Sequence, residues 1–367
     1  MTGLIMCIKL VESAKSPALT SLRPMPITVS SPSRLHFGLF SVGQIAGREF
    51  GGIGLMVQGP RTTITPKPSD QFSLVDQSAD AIESDRETAS RRAAQKWLNH
   101  FGDLLPSPLC SATPLEDLPV TISILQACPR HNGLGSGTQL AITVALALEH
   151  HFGLPSAKPD EMAIATGRAG RSAIGTYGCF EGGFLVDRGK TPTENVAPID
   201  LRIDFPEHWP IALVYPEPSN ELTTTTAAGL HGVEEVDAFK RIPPTTADQL
   251  EEMRSLVKNR IVPSLIQEDY CEFGNALQTF GRRSGDYFKS IQGGTFANSH
   301  IEEIVDVIDR SGVPAVGQTS WGPCVFAIAP NMEQLKRSTD AVSKKFGPAV
   351  AIEYTHADNH GATITRT

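Results

Sequence analysis

A chain of 367 residues, with 40% hydrophobic and 20% charged positions, is long enough for two packed cores and has the composition of a soluble globular protein. A formal net charge of −8 argues against a general nucleic-acid surface, so anion binding must fall to local clusters of basic side chains. No apolar run approaches the ~20 residues that span a bilayer, the short apolar stretch 4–11 lacks a signal-peptide cleavage site, and six scattered cysteines without a Cys-x-x-Cys pair indicate reduced thiols in a cytoplasmic protein.

Residues 1–25 carry no periodic pattern and are expected to form a flexible N-terminal extension. Strands are predicted at 27–30, 35–40, 53–57 and 62–65. Ala89, Ala93, Trp97 and Phe101 recur at helical spacing, which predicts a charged amphipathic helix over 84–101. A loop over 106–119 precedes a strand at 120–125. A helix over 139–152 has the stripe Leu140, Val144, Leu148 and His151, and Gly153 and Pro155 mark its end. A further helix is predicted over 160–171 and a strand over 183–187. Prolines and sparse apolar residues between 189 and 210 suggest a boundary, dividing an N-terminal domain (26–195) from a C-terminal α+β domain (205–367). The latter reads as a strand at 211–215, helical patterns at 247–267 and 270–282, a helix at 301–310, strands at 315–319 and 325–329, a helix at 332–346 and a strand at 350–354.

The most informative segment is Pro129-Arg130-His131-Asn132-Gly133-Leu134-Gly135-Ser136-Gly137-Thr138. Three glycines at alternate positions let the backbone reach φ > 0 and bring N–H groups close to a ligand. Ser136 or Thr138 is expected to cap the following helix, whose first N–H groups have no internal acceptor. This is a candidate phosphate or diphosphate site. It is not a Walker A loop, since no Gly-Lys-Ser/Thr follows, and it lacks Gly-x-Gly-x-x-Gly spacing. From this loop alone, a Gly-rich turn before an ordinary buried helix carries equal weight.

The Gly-Leu-Gly-Ser-Gly-Thr run resembles the second motif of the GHMP superfamily of small-molecule kinases. Segments 31–39 and 317–325 stand where that superfamily has its first and third motifs. Arg34-Leu35-His36-Phe37-Gly38, Phe50-Gly51-Gly52-Ile53-Gly54, Phe180-Glu181-Gly182-Gly183-Phe184 and Ser320-Trp321-Gly322-Pro323 are similar to one branch, the β-ribofuranosylaminobenzene 5′-phosphate synthases of methanopterin biosynthesis. The resemblance implies a two-domain α+β fold. A ribosomal-protein-like βαβ domain would hold phosphate, and a ferredoxin-like α+β domain would follow it. It further implies a reaction of 5-phosphoribosyl diphosphate with 4-aminobenzoate or 4-hydroxybenzoate, releasing diphosphate and CO2. Mg2+ is the expected cofactor and small molecules are the expected partners, with no nucleic acid and no membrane; a homodimer is an open expectation.

Arg34 and His36, two apart on a strand, share a face, which the resemblance turns toward the cleft; an edge-strand surface pair is the alternative. Arg168 and Arg171, three apart on the predicted helix, also share a face. Their planar forks suit phosphate or carboxylate. Arg171, with Ser172 beside it, is the stronger candidate. Glu181 and Asp187 could hold Mg2+ or pair with Arg171. Arg34, His36, Arg171 and Glu181 form the expected catalytic set, and Arg130 with residues 133–138 the phosphate-binding set. Gly51, Gly52, Ser172, Ser320, Trp321 and Gly322 are the expected substrate contacts. Phe37, Phe50 and Trp321 are candidates for a flat wall against an aromatic ring; a core Trp321 is the alternative. His356, Asp358 and His360 fall in a turn and read as a polar loop, so metal ligands stay unassigned.

Many GHMP kinases carry a catalytic Asp in a Ser-Gly-x-Asp-like run. Here Ser172-Ala173-Ile174-Gly175 puts Gly175 at that position, and the Lys common in the first motif is Arg34. Both departures favour the synthase branch. The alternatives are an ATP-dependent GHMP small-molecule kinase and a catalytically silent binding protein on the same fold.

Overall fold

The computed structural model describes residues 27–78, 84–216, 239 and 241–366. The expected N-terminal extension lies outside them. Seven strands form the first sheet, in the order β11-β1-β2-β4-β3, with β5 added to β2 and β6 to β5. The strands are β1 (Ile27–Leu39), β2 (Gly52–Pro68), β3 (Ser73–Asp76), β4 (Val120–Gln126), β5 (Phe184–Asp187), β6 (Ile199–Ile203) and β11 (Thr363–Arg366). β1 and β2 each read from sequence as two short strands. Pro32 and Pro60 interrupt their patterns, but both fall where the register jumps from Ser31↔Thr62 to Ser33↔Val57. A bulge asks for no ladder N–H, so proline is tolerated there.

Helices α1 (Ser84–Phe101), α2 (Ser136–His151), α3 (Pro159–Thr166) and α4 (Ile174–Glu181) accompany this sheet. α2 packs on β1 and β2 and against α1. Residues 139–149 of α2 are all buried, so the helix is covered around its whole girth and not along one stripe, with Gln139, Thr143 and Glu149 buried among its apolar residues. Trp97, Ile122, Val144 and Leu148 belong to the resulting core.

The second sheet contains β7 (Ile211–Pro216), β8 (Val316–Gln318), β9 (Val325–Ile328) and β10 (Val350–Thr355), in the antiparallel order β10-β7-β9-β8. With β7 and β10 as first and last strands, this is the ferredoxin-like order expected of the C-terminal half. Between β7 and β8 run α5 (Ala247–Leu256), α6 (Val262–Ile266), α7 (Tyr270–Asp286), α8 (Lys289–Gln292) and α9 (Ser299–Arg310); α10 (Met332–Phe346) precedes β10. Thr246 opens α5 with a capping box to Gln249, and Asn298 and Asn331 cap α9 and α10. α9 and α10 cover one face of the sheet through Ile304, Ile308 and Leu335. Residues of α5 and α7 fill the space between the two sheets, where Leu35 and Phe184 meet Phe280 and Phe326. The two halves therefore share a core.

Three strands were not legible in the sequence. β3 is short, β6 lies inside the proline-rich stretch read as the boundary, and β11 returns the last residues to β1. The first sheet thus extends beyond residue 195 and takes back the chain end. No helix among the described residues is long and apolar enough to cross a membrane.

Candidate active site

The glycine-rich loop leads directly into α2. Gly135, at φ 75°, is the N-cap residue, and no side chain caps the helix. The expectation of a Ser136 or Thr138 cap is therefore corrected: both lie inside the first turn. Thr138 and Gln139 donate their N–H groups to the Gly135 carbonyl at 3.0 Å each. Those of Ser136 and Gly137 have no intrahelical acceptor and add to the positive end of the helix dipole.

This loop is bonded to two distant segments. Arg34 N–H donates to the Leu134 carbonyl and Ser320 N–H to the His36 carbonyl, both at 3.0 Å. Thr319 Oγ1 donates to the Gly133 carbonyl and accepts from His36 N–H, both at 3.0 Å. A side chain at Gly133 would collide with the Thr319 carbonyl oxygen, and one at Gly322 with the backbone of Asn132 and Gly133. Glycine is required there because two backbones touch. β1, the loop and the 319–322 turn consequently form one backbone-bonded unit.

The arginines arrive differently from expectation. α3 stops at Thr166, where Gly167 at φ 65° closes the helix through Ala163 and Ile164 carbonyls. Arg168 and Arg171 are not on a helix; they sit in the 167–173 loop. Asp187 anchors that loop from below. Its Oδ2 accepts from Ala173 N–H at 2.6 Å and its Oδ1 from Gly189 N–H at 2.8 Å. Burial pushes this carboxyl up to about 6.

Near neutral pH Asp187 is ionised and accepts both N–H groups. As pH falls through about 6 it takes a proton, one acceptor oxygen becomes a hydroxyl, and the clamp on the arginine loop weakens. kcat/KM is expected to decline below pH 6, and Asp187→Asn to lower it about three- to tenfold at pH 7.5, as for one ordinary hydrogen bond, and to remove the acid limb. A raised folded-state pKa favours the protonated fold, so stability at this group rises as pH falls toward the ordinary carboxylate range. Circular dichroism should show an intact fold at pH 5.5. An acid limb unchanged in Asp187→Asn would show that another group titrates.

Two cavities open at this unit, of about 850 Å³ and 610 Å³. Arg34, Thr138, Arg168, Ser320 and Trp321 line both and mark their junction. The larger is walled by Phe37, Phe50, Phe239, Phe288 and Trp321, with His36 and Arg171 at its polar side. Trp321 stacks on Phe239 with centroids 5.3 Å apart and 21° between planes, and meets Phe288 edge-on at 4.8 Å. The Arg171 guanidinium lies over the other aromatic partner, Phe239, at 5.0 Å from its centroid. His36 is 6% exposed. Burial first, then the Arg34 and Arg171 charges, hold its pKa well below the usual range, so the imidazole is neutral near pH 7. The smaller cavity is cationic: Arg34, Arg92, Lys96, Arg130 and Arg168 line it beside the loop, with Asp85 as its single acid among the described residues.

Similarity to known proteins follows the same lines. The family described as GHMP kinases N terminal domain matches residues 91–182. The fold is similar to that of homoserine kinase from Cytophaga hutchinsonii, at TM-score 0.66 and 14% identity over 95% of this chain and all of that one. It is also similar to mevalonate pyrophosphate decarboxylase from Streptococcus pyogenes, at TM-score 0.60 and 13% identity over 93% of this chain and 99% of that one. Proteins named beta-ribofuranosylphenol 5'-phosphate synthase align nearly end to end. That of Methanothermobacter thermautotrophicus is 26% identical, covering 93% of this chain and 99% of its own. That of Methanocaldococcus jannaschii is 28% identical, covering 92% and 99%. Residues 91–182 thus match the GHMP kinases N terminal domain, on a fold similar to that of GHMP-type kinases, and nearly the whole chain is similar to these synthases.

Within this GHMP framework, Arg34, His36, Arg171, Ser172, Ser320 and Trp321 line the larger cavity, and Arg130, Gly133, Gly135, Ser136, Gly137, Thr138 and Gly322 the smaller. Leu134 is buried beneath the loop. Glu181 is exposed at the end of α4 and borders neither cavity, so its placement gives no catalytic role. Gly51 and Gly52 border neither cavity as well. A side chain at Gly51 would press on the Asp187 carbonyl and Gly189 N–H, and one at Gly52 would collide with the Gly38 carbonyl, so both serve close strand packing. Asp358 pairs with Arg61 at 2.7 Å and accepts from His360 and Gly361 N–H groups. Among the described residues no group of three or more His, Cys, Asp or Glu could hold a metal ion. Phe239, Phe288, Arg92 and Lys96 were not singled out from sequence. The only signal was the i, i+4 spacing of Arg92 and Lys96, which every solvated helix face shares.

Proposed function

We propose that this GHMP protein is a β-ribofuranosylbenzene 5′-phosphate synthase of tetrahydromethanopterin-type cofactor biosynthesis, joining 5-phosphoribosyl diphosphate to a 4-substituted benzoate. The carrying observation is the pair of cavities meeting at Arg34 and Thr138, one cationic beside the glycine loop and one walled by aromatic rings. A polyanionic donor suits the first and a planar acid the second. The synthases that align with the chain are named for a phenol product, which makes 4-hydroxybenzoate the first acceptor to test and 4-aminobenzoate the second.

The ring carbon bearing the carboxylate attacks the anomeric carbon, and the bond to diphosphate breaks with its electron pair on the leaving oxygen. The bond to the carboxylate then breaks, its pair restores the aromatic ring, and CO2 departs. Charge balances without a proton transfer, so no general base is needed. A neutral His36 suits this, as a hydrogen-bonding wall. The growing charge on the leaving diphosphate is met by the Ser136 and Gly137 N–H groups and by Arg34. Arg171 holds the acid's carboxylate in the ground state; the resistance this adds to CO2 loss is offset by re-aromatisation. With Asp85 the one carboxylate among the described residues at the cationic cavity, Mg2+ fits as an ion carried in on the diphosphate more than as one held by a protein cage.

ATP-dependent phosphoryl transfer is the weaker reading. A Cβ at Gly175 would stand 3.8 Å from Arg34 Nε, so an aspartate there would place its carboxylate beside that guanidinium. Glycine supplies no carboxylate at this position. Incubation with phosphoribosyl diphosphate, Mg2+ and each benzoate should yield equimolar diphosphate, CO2 and the C-riboside 5′-phosphate. Substrate-dependent ADP release from ATP, without these products, would install the kinase reading.

A further inference from the structure

We infer that Arg92, Lys96, Arg130 and Arg168 form the site for the 5-phosphate of the donor, separate from the glycine loop that takes its diphosphate. This rests on the reading just proposed and assigns the second anionic end of the same molecule. The four side chains come from α1, from the segment before the glycine loop and from the 167–173 loop, and converge on the 610 Å³ cavity. None of them makes an ion pair with a described carboxylate, whereas most other described arginines do. Arg130 Nη1 and Arg168 Nε are buried with no hydrogen-bond partner. Their charges also press on one another: after burial, Arg92 and Arg130 lower the pKa of Arg168, and Arg92 and Arg168 lower that of Lys96. In a chain of net charge −8, such an uncompensated cluster is stable chiefly with an anion of multiple charge bound in it.

The chemistry separates the two anionic ends. Diphosphate gains charge as it leaves, so the groups that hold it act on kcat. The 5-phosphate keeps its charge throughout, so the groups that hold it bind ground and transition states alike and act on KM. Gripped from the α1 side, the ribose would present its anomeric carbon to the junction with the aromatic cavity.

The test is the double variant Arg92→Ala/Lys96→Ala, at an exposed and a half-buried position of α1. KM for phosphoribosyl diphosphate should rise about a hundredfold with kcat within about threefold, each lost charged contact being worth roughly tenfold. Inhibition by ribose 5-phosphate should weaken in parallel, while inhibition by inorganic diphosphate stays unchanged. Arg92→Lys/Lys96→Arg should restore most of the affinity. Equal weakening of both inhibitors, or a fall in kcat at constant KM, would overturn the assignment. Calorimetric titration of ribose 5-phosphate into both proteins separates the two readings. If the wild type makes no product yet loses this affinity in the double variant, the phosphate site stands and the reaction falls. If the titrations match, the site itself falls.

Discussion

Gly135→Val is expected to lower kcat/KM by ~10²–10³-fold, the range seen when one preorganised donor at a developing anion is lost. Gly135 has φ 75°, and a Cβ there would stand 3.3 Å from Arg34 Nε. Valine would have to leave the left-handed region, turning the Ser136 and Gly137 N–H groups away from the cavity and pushing Arg34 at the junction. The strain is on the order of 1–2 kcal/mol, so the melting temperature should fall by only a few degrees for a chain this large. Gly135→Ala, which strains the same φ with less bulk, should lie between. Steady-state kinetics paired with thermal melts separate the two effects. Full activity in a folded Gly135→Val protein would remove the loop from the diphosphate site.

Arg171→Ala should raise KM for the aromatic acid roughly ten- to a hundredfold. A desolvated guanidinium contact to an anion is worth ~1.5–3 kcal/mol, at ~1.4 kcal/mol per decade. kcat should hold or rise slightly, since this contact favours the carboxylate over departing CO2. Arg171→Lys should recover part of the loss, because an ammonium neither forks nor stacks on Phe239 as a guanidinium does. Removing this charge should also move the His36 pKa upward without restoring its ordinary value, as burial is the larger cause; titration followed by NMR reads this. Unchanged KM values and an unmoved His36 would leave Arg171 as a cover for Phe239 alone.

Local signals were readable wherever neighbours in the chain decide the structure. The predicted bounds of α1 and α10 agree with the structure to the residue. In each, an apolar stripe runs unbroken between clear ends, and α10 has Asn331 before it and Gly347 after it. The 160–171 pattern failed because helical spacing was followed through Gly167, a glycine stop that turns the chain. Glu181, Gly51 and Gly52 stand inside the recognised motifs, yet they border neither cavity. Adjacency in sequence gives no direction for a side chain at the end of a helix or at a strand crossing.

By itself the chain's order of residues determined the glycine loop, the helix it opens and the succession of strands and helices that makes an α+β GHMP fold, because φ > 0 tolerance, capping and apolar periodicity act over a few residues. Tertiary structure alone decided what the site is. Phe239, Phe288 and Trp321 become one wall, and Arg92, Lys96, Arg130 and Arg168 one cationic pocket, only when segments separated by tens of residues in sequence pack together. The charge state of His36 is of the same kind. Its identity is local, but its neutrality comes from burial and from two guanidiniums, one of them carried by a loop 135 residues away (171 − 36), and electric fields follow distance in space.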